Sequence, residues 1–176
     1  MTDLGIRSPV DPLEGTLYRR KTIQGTSINT GVTAGLLTVL WNKDPPTEVE
    51  FLIDPGSGPA WLKVMISDIN RAAQLPQGWD SYGGERLKEK AALHSVELLK
   101  RMEFGGPAPW VSPTPDGGIH LEWRSHELGL ELDIAEDGDV GVLTEDDGEI
   151  REWTTGPFGD DELRDFLKRV TDNRPS

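Results

Sequence analysis

Four side chains in the second half of the chain are of the types that bind metal ions or transfer protons. His120 and Glu122 alternate along one stretch, and Glu131 and Asp133 alternate along the next. If the chain turns back at Ser125–His126, all four share one face of a hairpin, with His120 opposite Glu131. Imidazole and carboxylate ligands are the donor set of a metal-dependent hydrolase. Such residues on a flat strand face more often only solvate the sheet, so the hydrolase is an alternative hypothesis.

The stretch LPQGWDSYGGE, residues 75–85, combines two aromatic side chains, a carboxylate and three glycines. Glycines allow tight backbone turns, and Asp80 can accept hydrogen bonds from the backbone of such a turn. Trp79 and Tyr82 are three residues apart and would face the same way in a helical turn. Two interpretations follow: an aromatic clip that closes a helix pair, or an exposed spot where Trp79, Asp80 and Tyr82 contact a partner.

The charge of the chain is uneven. Its formal net charge is −13, and residues 111–176 hold 18 of the 31 acidic side chains but six of the 18 basic ones. This acidity attracts basic protein surfaces and repels nucleic acids and anionic membranes. The chain has no cysteine, which excludes disulfides, thiolate nucleophiles and iron–sulfur clusters. No run approaches the roughly 20 apolar residues of a membrane helix, and the start lacks a signal peptide pattern. We expect a cytoplasmic protein without a cofactor.

The sequence patterns around these residues predict an α+β fold, with a loosely ordered segment at 1–27 and one domain at 28–176. Alternating apolar residues predict strands, an apolar stripe at helical spacing predicts helices, and Pro and Gly mark the boundaries. The predicted order is a hairpin of Thr30–Trp41 and Glu48–Asp54, helices from Trp61 to Pro76 and from Glu85 to Met102, an antiparallel meander of about four strands between Ile119 and Trp153, and a helix over 160–171 that Asp160 caps.

The meander is expected to bury one face under the helices and to leave the other face acidic. The buried face is predicted to carry alternating apolar side chains: Leu121, Trp123, Leu130, Leu132 and Val142. The aromatic residues are expected to gather at one end of the sheet, where the 75–85 loop and the Pro-rich segment before the first strand would lock helix to sheet. That group is Trp79, Tyr82, Trp110 and Trp123.

Three motifs follow one another with a helix between the first two: GWDSYGGE, PAPWVSPTPDGGIHLEW and ELGLELDIAEDGDVGVL. This order resembles a family of small uncharacterised bacterial proteins with a GWDxYG loop and a PTPDGGIxLEW segment. The resemblance covers about residues 75–143 and implies one structural unit from Leu75 to Leu143. Gly84-Glu85 stands where that family is expected to have Ala and often Pro. The family has no established activity, and its genes often occur in mobile or defence-linked regions.

The leading hypothesis is therefore a non-catalytic acidic protein-binding module, a partner or inhibitor subunit of a bacterial system, because ordinary catalytic motifs are missing. Its partner is expected to be a protein with a basic surface. The residues expected to bind it are Trp79, Asp80, Tyr82, Glu122, Glu131 and Asp133. The metal-dependent hydrolase remains the first alternative. The second is a nucleic-acid mimic, whose carboxylates would occupy the basic groove of a nucleic-acid-binding protein.

Overall fold

The computed structural model describes residues 18–22, 36–41, 47–52, 59–125 and 128–172. The described helices and strands are those of an α+β protein, and two strands, β1 and β4, were not predicted. The strands are β1 (Tyr18–Thr22), β2 (Leu36–Trp41), β3 (Thr47–Leu52), β4 (Trp110–Pro113), β5 (Ile119–Arg124), β6 (Leu128–Ile134), β7 (Val140–Asp146) and β8 (Glu149–Thr155). The helices are α1 (Ala60–Ala73), α2 (Glu89–Arg101) and α3 (Asp161–Asp172). No helix of the described ranges is long and apolar enough to span a membrane.

The first three strands form an antiparallel sheet of order β1-β3-β2. The predicted hairpin of Thr30–Trp41 and Glu48–Asp54 includes residues 30–35, 42–46 and 53–54, which lie outside the described residues. Most of the segment 1–27 lies outside them as well. The hairpin and the loose order of the N-terminal segment therefore stay predictions.

The second sheet is an antiparallel meander of order β4-β5-β6-β7-β8. It has one strand more than predicted, because Trp110–Pro113 pairs with β5 at the edge of the sheet. The sequence predicts only a Pro-rich segment here that leads into the first strand. An edge strand pairs on one side only, so it tolerates a proline whose missing N–H would interrupt a central strand.

The pairing of β5 with β6 differs from the predicted register by two residues. His120 lies opposite Asp133, not Glu131, and Glu122 lies opposite Glu131. The connection is longer than expected, and the Ser125 N–H donates to the Leu128 carbonyl at 2.8 Å. Since side chains alternate with a period of two, a shift of two residues leaves each of them on its predicted face.

The inner face of this sheet forms the core with the helices. All five apolar side chains predicted for this face are buried: Leu121, Trp123, Leu130, Leu132 and Val142. Trp123 meets Phe104 edge-on, with ring centroids 5.3 Å apart, and Phe104 lies 6.2 Å from Trp61. The Trp61 indole N–H donates to the Phe104 carbonyl at 2.7 Å, so the segment after α2 is fastened to α1.

The closing helix α3 is held to the sheet at its first turn. Asp160 caps it as predicted, since its Oδ1 accepts the Leu163 N–H at 2.8 Å. Its Oδ2 accepts the indole N–H of Trp153 on β8 at 3.0 Å. One carboxylate thus fixes both the start of the helix and its position against the last strand.

Candidate binding surfaces

The 75–85 stretch forms a closed loop with one defined backbone path. The Gly78 N–H donates to the Gly84 carbonyl at 2.8 Å, and the Ser81 N–H donates to the Gly78 carbonyl at 3.0 Å. Three residues have left-handed backbone angles, with φ of +76° at Gly78, +67° at Ser81 and +95° at Gly83. The glycines adopt these angles at little cost, which is why the loop can close so tightly.

Asp80 organises the inside of this loop. Its Oδ1 accepts the backbone N–H groups of Tyr82 at 2.9 Å and Gly84 at 2.8 Å. These hydrogen bonds, that from Gly84 first, hold the pKa of Asp80 below its ordinary value of 3.8. A Cβ on residue 84 would lie 2.8 Å from the Asp80 Cγ, so the carboxylate has room only because residue 84 is a glycine. Asp80, which was expected to contact a partner, holds the backbone of Tyr82 and Gly84 in place.

The two aromatic residues of the loop differ in exposure. Trp79 is half-buried and donates its indole N–H to the Glu85 carbonyl at 3.0 Å. Tyr82 is 95% exposed, and Trp110 is 71% exposed. The prediction that these three residues gather with Trp123 is wrong. The ring contacts of Trp123 in the described ranges are with Phe104, because the segment after α2 lies over it.

The loop continues into a backbone link with the turn that precedes β5. The N–H of Glu85 donates to the Pro115 carbonyl, and the N–H of Lys88 donates to the Gly117 carbonyl, both at 2.8 Å. This is the predicted connection between helix and sheet. Because it holds Lys88 in an extended conformation, α2 begins at Glu89, four residues after the predicted start.

The outer face of the β4–β8 sheet, opposite the core, carries most of the predicted site. Pairing places His120, Glu122, Glu131 and Asp133 together on this face, as expected. Other side chains share this face that were not among the predicted binding residues. They include Trp110, Ser112, Arg124, Leu143, Glu145, Ile150 and Glu152.

Arg124 neutralises part of this acidic face. Its guanidinium forms ion pairs with Glu122 and Glu131 and lies 3.7 Å from a Glu145 carboxylate oxygen. The residue opposite Arg124 is Gly129, whose missing side chain leaves space for the guanidinium to reach across to the next strands. Glu122 and Glu131 are therefore less available to a partner than the sequence alone implies.

His120 is held by Asp133 across the strand pair. Its Nδ1 lies 2.7 Å from Asp133 Oδ1, and its Nε2 lies 3.9 Å from a Glu122 oxygen. The hydrogen bond to Asp133 and the negative charges of Asp133, Glu131 and Glu122 raise the pKa of His120 above 6.5, although partial burial opposes the rise. This environment favours an imidazolium that pairs with carboxylates.

The geometry of the face gives no direct support to metal or nucleophile chemistry. Within the described ranges, no three His, Asp or Glu side chains are placed to hold one metal ion. Ser112 lies opposite His120, which completes a Ser–His–Asp row across three strands. No hydrogen bond joins Ser112 to His120 among these residues, so the row lacks the contact that activates a serine.

The His120 pair predicts a pH dependence of stability. A pKa raised on folding contributes stability that is fully present below about pH 6.5 and is lost as the pH rises through the folded-state pKa. We expect the difference in unfolding free energy between wild type and His120→Gln to shrink between pH values of about 5.5 and 8.5. Urea unfolding at both pH values measures it.

An NMR titration of His120 provides the control. In Asp133→Asn the midpoint of His120 should fall, because the variant removes the hydrogen-bonded charge that favours the imidazolium. An unchanged midpoint would mean that the observed pair does not persist in solution.

A recess of about 500 Å³ lies between α3 and the inner side of β7 and β8, away from the predicted site. Trp153 and Phe166 line it together with two arginines. Arg151 pairs with Glu162 and Arg169 pairs with Asp146, so the cations of the recess are already neutralised by its own carboxylates.

The loop and the outer face are thus the two surfaces on which the predicted binding residues lie. The suspected resemblance to a bacterial family stays a prediction. Compared with protein-family models, with curated proteins and with solved structures, the chain shows no significant match.

Proposed function

We propose that this chain is a non-catalytic, acidic protein-binding module, a partner or inhibitor subunit that uses Tyr82 as its anchor. The observation that carries the proposal is the 95% exposure of Tyr82 at the tip of a loop whose backbone is closed by hydrogen bonds. A tyrosine side chain with this exposure packs little against the described residues, and its ring, apolar with a polar tip, is of the kind enriched at protein interfaces.

The loop lowers the entropic cost of such a contact. Asp80 binds the N–H of Tyr82 itself, and the Gly78–Gly84 hydrogen bonding closes the loop below it. A side chain presented by an ordered backbone loses less conformational freedom when it enters a pocket on a partner. Tyrosine is also among the residues that dominate binding energy at protein interfaces.

The charge of the chain supports a basic partner. With a net charge of −13, the chain attracts positively charged protein surfaces over several ångströms, which speeds encounter more than it strengthens the final complex. The suspected resemblance directs the search for this partner to bacterial systems linked to defence or to mobile elements.

The test begins with affinity capture from extracts of the organism that encodes the chain, followed by binding measurements with the purified partner. Tyr82→Ala should weaken binding about 30-fold, equivalent to the roughly 2 kcal/mol of an interface hot spot, mainly through faster dissociation. The matched control is Val64→Ala, which trims a half-exposed apolar side chain on α1 and should leave affinity unchanged. A partner that binds Tyr82→Ala as tightly as wild type would contradict the proposal.

A further inference from the structure

Two large apolar side chains are exposed at opposite edges of the outer sheet face. Trp110 on β4 is 71% exposed and Ile150 on β8 is 66% exposed. Pairing places both on the same face as Glu122 and Glu145, their cross-strand neighbours. The two side chains are separated by four strand spacings, about 19 Å, and the pairing offsets them by two residues along the strands, about 7 Å, so they lie about 20 Å apart.

The surface between these two side chains is negatively charged. Arg124 is the only Lys or Arg on the described outer face, and five carboxylates outnumber Arg124 and the His120 imidazole that pairs with Asp133. Glu152 forms no ion pair within the described ranges and lies next to Leu143 on the neighbouring strand. Those outer-face carboxylates are Glu122, Glu131, Asp133, Glu145 and Glu152.

We infer that this outer face docks a basic polypeptide segment of a partner protein, with apolar side chains about 20 Å apart and Lys or Arg between them. The inference rests on the proposed function, and it specifies the partner's chemistry at a surface other than the Tyr82 loop. Charge complementarity selects the occupant, since anionic membranes, nucleic acids and a second copy of this acidic chain would all be repelled.

The spacing sets the length of the docked segment. About six residues of extended chain, at roughly 3.3 Å each, or about 13 residues of helix, at 1.5 Å each, span the distance from Trp110 to Ile150. Apolar contacts at the two ends would resist dissociation, and the basic residues between them would add salt-dependent steering to the carboxylates.

A synthetic peptide tests the surface without the natural partner. The probe is a helical peptide of about 16 residues with leucines near both ends and lysines between them, and its comparison peptide has glutamates for lysines. Fluorescence anisotropy should show binding of the lysine peptide that weakens as salt rises, and no binding of the glutamate peptide. Trp110→Ala and Ile150→Ala should each weaken binding about 10-fold, whereas Val64→Ala should not change it.

The inference is overturned if the lysine peptide does not bind, or if Trp110→Ala and Ile150→Ala bind it as wild type does. These outcomes are separate from those of the capture experiment, because the peptide measurement reads the outer face and the Tyr82→Ala measurement reads the loop. Peptide binding without a Tyr82-dependent partner would contradict the proposed function and leave the basic-segment surface standing.

Discussion

Trp123→Ala is expected to lower the free energy of unfolding by about 3–5 kcal/mol, the usual cost of deleting a buried aromatic side chain. Trp123 is 4% exposed and its ring meets Phe104 edge-on at 5.3 Å. Its indole N–H donates to the Pro107 carbonyl at 3.0 Å. The variant would leave a cavity at the centre of the core and remove the hydrogen bond that fastens the segment before β4.

Urea unfolding followed by circular dichroism measures this effect, and the neighbouring strand supplies a matched control. Trp110 is the same residue type on β4 but is 71% exposed. Trp110→Ala should therefore change stability by no more than about 0.5 kcal/mol. Equal unfolding midpoints for the two variants would show that Trp123 does not lie in the core.

Gly117→Ala is expected to have the second largest effect, a loss of about 2–5 kcal/mol. Gly117 has φ of +82°, a conformation that costs a residue with a Cβ roughly 1–2 kcal/mol. An added Cβ would also lie 2.7 Å from the Arg86 carbonyl oxygen, a backbone atom that cannot rotate away. Overpacking of this kind adds about 1–3 kcal/mol. The variant would therefore push the turn away from the segment that leads into α2.

Gly148→Ala separates the cost of the left-handed backbone angle from the cost of the steric overlap. Gly148 has φ of +83°, yet an added Cβ there would meet no atom within 4 Å. Its alanine variant should show the backbone cost alone, so the extra loss in Gly117→Ala measures the close approach to Arg86. If both variants lose the same stability, the loop and the turn are less tightly joined than the structure shows.

The well-predicted part of the fold follows from local patterns. The alternation of Leu130 and Leu132 with charged residues indicates the buried face of β6, and both side chains are fully buried. Asp160 before an apolar helical stripe predicts the start of α3, and its carboxylate does accept the expected N–H. These features depend on residues close together in sequence, so a single chain segment is enough to reveal them.

The errors occur where a segment pairs with a distant one. The register of β5 with β6 depends on the length of the connection, and β4 exists only because β5 offers it an edge. The start of α2 is set by hydrogen bonds from Glu85 and Lys88 to a turn nearly thirty residues further along the chain. Helical propensity within residues 85–88 could not reveal that competing partner.

By itself, the sequence determined the acidic charge, the absence of cysteine chemistry and the face of the sheet on which each residue of the meander lies, because these depend on composition and on a period of two. The tertiary structure alone decided that Tyr82 is exposed while Trp79 is half-buried, and that Arg124 occupies part of the carboxylate cluster. Exposure and ion pairing depend on which distant segments come together in space. In the candidate site, those contacts distinguish side chains that pair within the chain, such as Arg124, from side chains that stay exposed to a partner, such as Tyr82.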